Sequence, residues 1–188
     1  MAMSNVQIAL RRDENVRPSG MTMKLIFITT ALLASSFSVI GSFGKDQDPK
    51  LFITDAIKGN LSEIALAKMA AKNAATEAVR TYGKTLAAYH IQANNEASAV
   101  AAKLDLNPPA EPSAEAREQQ TALRKLSGRA FDHAFLNYMI KNHQTDIQNF
   151  EDQVKARNGE TSKMAERQLP MLKKHLEIAQ SLKSGAAQ

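Results

Sequence analysis

Cysteine is missing from this chain of 188 residues. Its absence excludes disulfides, thiolate nucleophiles and Cys-based zinc sites, and with them the lipid-carrying cysteine of a bacterial lipoprotein. Packing alone must hold the fold. Glycine and proline are scarce, at 8 and 6 residues, and nothing beyond the N-terminal segment alternates with period two, so no sheet is expected. Long basic runs are lacking too. The formal net charge is +5, but residues 1–44 carry four basic and two acidic groups, leaving 20 basic against 17 acidic in the remainder. Those charges are dispersed, with Lys173–Lys174 the longest basic run there and few aromatics among them. Such a pattern is a solvated surface and excludes a nucleic-acid groove. What is plentiful is Ala, Leu, Lys, Glu and Gln, side chains that lose little rotamer freedom in a helix.

The N-terminus reads as an address. Residues 23–44, MKLIFITTALLASSFSVIGSFG, run from a Met-Lys start through an apolar stretch, Leu25 to Ile40, into small residues. That is the order of a secretory signal. Ser42 and Gly44 occupy the two positions a signal peptidase inspects, so cleavage is expected after Gly44, with Ala34–Ser36 as a second site. The competing reading is an uncleaved anchor, because Leu25–Gly44 has about the length that crosses a bilayer. The interrupting Ser, Thr and Gly favour cleavage. Residues 1–22 are mostly polar and precede Met23, so they are either an extended n-region or lie upstream of a true start at Met21 or Met23. The expectation is an exported, periplasmic protein with no membrane span after cleavage, a mature domain over 45–184 and a disordered tail over 185–188.

The mature part punctuates itself into helices. Asp48–Pro49 is an N-cap followed by proline at the first helical position. A helix over about 49–73 then carries Phe52, Ala56, Gly59, Glu63, Leu66 and Ala70 on one face. Thr76 caps a second helix to about 104, striped by Val79, Gly83, Leu86, His90, Ala93, Ala97, Val100 and Leu104. Pro108, Pro109 and Pro112 break the chain into a crossover. Ser113 caps a short helix over 114–126, and Ser127–Gly128 precedes a long one to about 157. That helix presents Asp132, Leu136, Met139, His143, Ile147, Phe150 and Val154. Asn158–Gly159 is a stop, and a last helix over 160–183 presents Leu169, Leu172, His175, Leu176, Ala179 and Leu182, with Pro170 expected to kink or restart it. The material is that of an all-α four-helix bundle with a Pro-rich crossover and a short extra helix between helices 2 and 3.

Four residues interrupt the apolar stripes: Glu63, His90, His143 and His175, one per long helix. An ionisable group in a core costs several kcal/mol unless it is paired, hydrogen-bonded or metal-bound. Residues level in an antiparallel hairpin are equidistant from its turn. The midpoint of 143 and 175 is the turn glycine Gly159, and that of 63 and 90 falls beside Thr76. Each hairpin therefore brings its two polar groups to one height, while the crossover hides the offset between hairpins. Two readings stay open. Three neutral imidazoles and a carboxylate suit a divalent metal such as zinc or iron; the same groups also suit a buried hydrogen-bonded network that fixes helix register. Asp132 lies about 16 Å along its helix from His143, so it supports from outside or caps the helix start near Gly128. His133 is off the stripe and expected in solvent. Tyr82, Tyr89 and Tyr138 read as packing residues with wet hydroxyls, and Met69 and Met139 as core filling.

The segments GNLSEIALAKMA (59–70), KTLAAYH (84–90), FDHAFLNYMIKNH (131–143) and LPMLKKHLEIAQSL (169–182) resemble the bacterial family called domain of unknown function 4142, over roughly 50–183. The resemblance implies a ferritin-like fold, export, and Glu63, His90, Asp132, His143 and His175 at the family's recurrent polar positions. The family is sometimes labelled a putative outer-membrane protein, though nothing here reads as a β-barrel. One departure stands out. Where the family usually has an acid directly before the second helix's histidine, this chain has Tyr89. A ferritin-like label also suggests di-iron chemistry, which uses Glu-x-x-His pairs. The residues three before His90, His143 and His175 are Ala87, Ile140 and Leu172, so the pattern is absent. No nucleophile motif such as G-x-S-x-G is present either. The expected function is binding without catalysis, by a metal-holding bundle or by a structural module with an unknown protein partner.

Overall fold

The first three helices begin where a side chain can satisfy their free amides. In a computed structural model of the chain, which describes residues 48–185, five α-helices and no strand occur among the described residues. The signal-like segment over 1–44 and the last three residues lie outside them. Asp48 opens α1 (Pro49–Asn73), its carboxylate accepting from the Lys50 amide at 2.9 Å. Pro49 takes the position where a missing N–H costs nothing. Thr76 opens α2 (Glu77–Lys103) by accepting from the Val79 amide, and Ser113 opens α3 (Ala114–Leu123) by accepting from the Ala116 amide. The expected boundaries agree closely, except that α3 ends at Leu123 rather than 126.

The turn between α4 (Gly128–Ala156) and α5 (Gly159–Gly185) differs in detail from the expected Asn158–Gly159 stop. Arg157 takes the left-handed conformation that ends α4, with φ 54°, and Gly159, with φ 58°, opens α5. Pro170 does not restart α5, which runs through it as one element. The proline gives up one helical amide there, and the remaining bonds of a 27-residue helix carry the chain across.

The helices pack as two hairpins, α1 against α2 and α4 against α5. The hairpins meet through α2 on α5 and α1 on α4, and α3 lies against α1 and α4. Gly83 sets the closeness of the first hairpin. A Cβ at that position would stand 2.7 Å from the Ala71 amide nitrogen and 2.8 Å from the Ala67 carbonyl oxygen. The crossover is moored to α1 by Ser113, whose amide donates to Ser62 Oγ at 3.0 Å.

Two apolar clusters fill the interior. One gathers Leu66, Leu86, Phe135, Met139 and Ala179; the other gathers Ile57, Ala97, Phe150 and Leu172. On each long helix the polar residue falls between the positions given to the two clusters: Glu63 between 57 and 66, His90 between 86 and 97, His143 between 139 and 150, and His175 between 172 and 179. The seam between the clusters is therefore polar, and all four of these residues are buried in it. No described helix is long and apolar enough to cross a membrane.

Candidate metal centre

The seam draws one side chain from each long helix. His90 Nε2 stands 2.7 Å from Glu63 Oε2, and His143 Nδ1 stands 3.3 Å from Glu63 Oε1. The His143 and His175 rings are 5.4 Å apart between centroids, His90 and His175 also 5.4 Å, and His90 and His143 5.8 Å. One ring nitrogen from each of the three lies within 4.8 Å of the others. The level pairs expected within each hairpin are level, and the two hairpins are in register with each other.

The proton positions follow from the neighbours. His90 Nδ1 is 2.8 Å from Asn60 Oδ1, and His143 Nδ1 is 3.0 Å from the Met139 carbonyl oxygen. Both oxygens only accept, so each Nδ1 carries a hydrogen, and in the neutral form of each ring the lone pair lies on Nε2. Burial pushes the His143 imidazole below its usual range. Burial first, then the neighbouring His90 and His143, push His175 down to about 3. Burial opposes the charge of Glu63, but His143 and His90, with a hydrogen bond from Asn142, outweigh it and hold the carboxyl at about 2. A carboxylate thus sits beside two imidazoles, His143 and His175, whose burial disfavours their charged form.

The consequence is a set of orphaned atoms. Glu63 Oε2, His90 Nε2, His143 Nε2 and both ring nitrogens of His175 are buried without a hydrogen-bond partner. The 2.7 Å approach of His90 Nε2 to Glu63 Oε2 is a close contact that lacks hydrogen-bond geometry. A lone pair facing a carboxylate oxygen at that distance is repulsive unless a proton or a cation lies with them. Tetrahedral zinc–nitrogen bonds of about 2.0–2.1 Å set nitrogens about 3.3 Å apart. The three imidazoles would close by up to about 1.5 Å to reach that spacing.

Several neighbours lay outside the expected set. Asn142 Nδ2 donates to Glu63 Oε1 at 2.7 Å and to Asp146 Oδ2 at 3.1 Å, joining two carboxylates. Asp146 is pushed up to about 7, by burial and then by the charge of Glu63. Sequence signals for these residues exist. Asp146 lies three after His143 and Asn60 three before Glu63, spacings that share a helical face.

Asp132 does not cap its own helix. Its Oδ1 accepts from the Ala75 amide at 2.8 Å, and its Oδ2 accepts from the Thr76 amide at 3.0 Å and the Thr76 hydroxyl at 2.8 Å. It clamps the α1–α2 turn from α4. Tyr82 is not wet either: its buried hydroxyl donates to the His175 carbonyl at 3.0 Å. Tyr89, standing where the family resemblance leads one to expect an acid, packs edge-on against His90 and His175 with centroids 5.3 and 4.8 Å away. His133 is exposed, beside Asn137 at 3.1 Å. Met139 is fully buried, and Met69 packs against the same cluster.

In comparison with known proteins, a family model described as Domain of unknown function (DUF4142) matches residues 42–182. No curated protein and no solved structure matches.

Proposed function

The chain belongs to the DUF4142 family, and from that premise we propose that it is an exported, periplasmic ferritin-like four-helix bundle that binds a single divalent cation, zinc or iron, without catalysing a reaction. His90, His143 and His175 would supply neutral nitrogens, and Glu63 the carboxylate that offsets charge. The observation that carries this reading is the convergence of three buried imidazoles whose inward nitrogens have no hydrogen-bond partner. Leaving such groups unsatisfied costs about 1–3 kcal/mol each, and a cation turns that cost into bonding. Asn60 and the Met139 carbonyl hold two of the rings by their outer nitrogens, the usual way a metal-ligating histidine is oriented. The donor set suits zinc or iron, both of which accept imidazole and carboxylate. Asp132, bound to the α1–α2 turn, supports the scaffold and not the ion.

A second reading rests on the contact between Glu63 and His90. With a proton on His90, the pair becomes a buried ion pair that fixes helix register and needs no metal. The test is elemental analysis of the mature protein purified without a His tag. One equivalent of zinc or iron is expected, lost in His143→Ala. Metal-free protein whose melting is unchanged by added zinc or iron would leave only the structural reading.

A further inference from the structure

A cavity between α1 and α4 leads from the surface to the histidine cluster. Its outer lining includes Asp55 and Asn149, both exposed, and its inner lining Asn60 and His90, both buried, with Asp146 partly buried and Gly59 in the wall. His90 Nε2 and Asn60 Nδ2, both buried, have no hydrogen-bond partner. The volume is about 60 Å³. Since one water needs roughly 10–15 Å³ on this measure, the space takes a few waters or a partly hydrated ion and no organic metabolite. Its two charged lining residues are acids, and none is basic.

We propose that this cavity is the entry path of the divalent cation, with Asp55 attracting it at the mouth and Asp146 holding it in transit before it reaches the imidazoles. The inference rests on the metal-binding reading of the same site. A divalent ion must exchange its water shell for other ligands before entering a low-dielectric seam, and carboxylate and amide oxygens along the way lower that cost. Asp55 and Asn149 provide them at the exposed mouth and Asp146 deeper in, where it is partly buried. The apolar clusters on either side of the seam offer no such oxygens along the helix axes. Asn142, donating to both Asp146 and Glu63, joins the transit carboxylate to the one at the centre. The wall is open at Gly59, where a Cβ would meet nothing within 4 Å. A larger side chain at 59 has room to enter the cavity without displacing backbone.

The experiment follows Co²⁺ uptake by metal-free protein in a stopped-flow spectrometer, with release to excess chelator and equilibrium titration alongside. Gly59→Leu is expected to slow uptake about tenfold or more, as an added barrier of roughly 1.4 kcal/mol does. Release slows by the same factor and the dissociation constant stays put, because a barrier on a path scales both directions equally. Gly59→Ala should load at the wild-type rate. Asp146→Asn should slow uptake and weaken its salt dependence, as loss of a steering charge does. Wild-type uptake rates in Gly59→Leu and Asp146→Asn would overturn the route and leave the metal centre standing. A weakened equilibrium affinity in Gly59→Leu that comes from faster release, with uptake at the wild-type rate, would also overturn it. Wild-type protein that takes up no Co²⁺ would overturn both the route and the centre.

Discussion

Replacing His175 with leucine separates what the histidine costs the fold from what it does for a ligand. In the metal-free protein both nitrogens of His175 are buried without partners, a burden of about 1–3 kcal/mol for each that an apolar side chain of similar volume removes. Chelated His175→Leu is therefore expected to be more stable than wild type at pH 7 by that amount. Acid widens the gap. The unfolded chain protonates this histidine near the ordinary value of 6.5, whereas the folded one resists down to about 3. Between those values unfolding takes up a proton, so stability is full above 6.5 and falls as the pH drops. At pH 5 wild type loses about 2 kcal/mol through this residue, at about 1.36 kcal/mol per unit. The variant loses none of it. Urea denaturation of both proteins in chelator, from pH 7.5 to 5, reads the difference directly. A gap that stays constant with pH, or a variant less stable than wild type at pH 7, would refute the reasoning. With metal at one hundred times its dissociation constant the gap should shrink by about 2.7 kcal/mol, because ligation adds that much to wild type and nothing to the variant.

Two further perturbations address the scaffold. Gly83→Ala puts a methyl group within 2.8 Å of the α1 backbone, and forcing the hairpin apart should cost about 1–3 kcal/mol in urea denaturation; an unchanged midpoint would contradict the close approach. Asp132→Ala removes the acceptor for two amides and a hydroxyl, and should destabilise by at least about 1.5–3 kcal/mol. Its metal stoichiometry, measured beside the melting curve, should stay at the wild-type value, and loss of metal in folded protein would place Asp132 in the centre after all.

Most of the fold was legible because its signals are local. Asp48–Pro49, Thr76 and Ser113 each bond amides within three residues, and the apolar stripes repeat at helical spacing. Hairpin symmetry carried the reading one step beyond local: equal distance from a turn pairs Glu63 with His90 and His143 with His175. The register between the hairpins depends on the crossover around Pro108–Pro112, whose path no periodicity encodes. Asn60, Asn142 and Asp146 escaped for a different reason. The stripes followed the apolar face, and these three polar residues flank it, one helical turn or less from the residues they serve. The partners of Asp132 and Tyr82 are tertiary, 57 and 93 residues away, and no spacing rule reaches that far.

The clamp made by Asp132 has a bearing on how the chain folds. The turn joining α1 to α2 is finished by a carboxylate that belongs to α4, so the first hairpin leaves its Ala75 and Thr76 amides to water until the second hairpin docks. Neither hairpin is then a self-sufficient folding unit. The early one waits for the late one, and Asp132 on the late one becomes buried only as it hydrogen-bonds the turn of the early one. Interdependence of this kind suppresses half-folded intermediates and makes the two hairpins melt as a single cooperative unit.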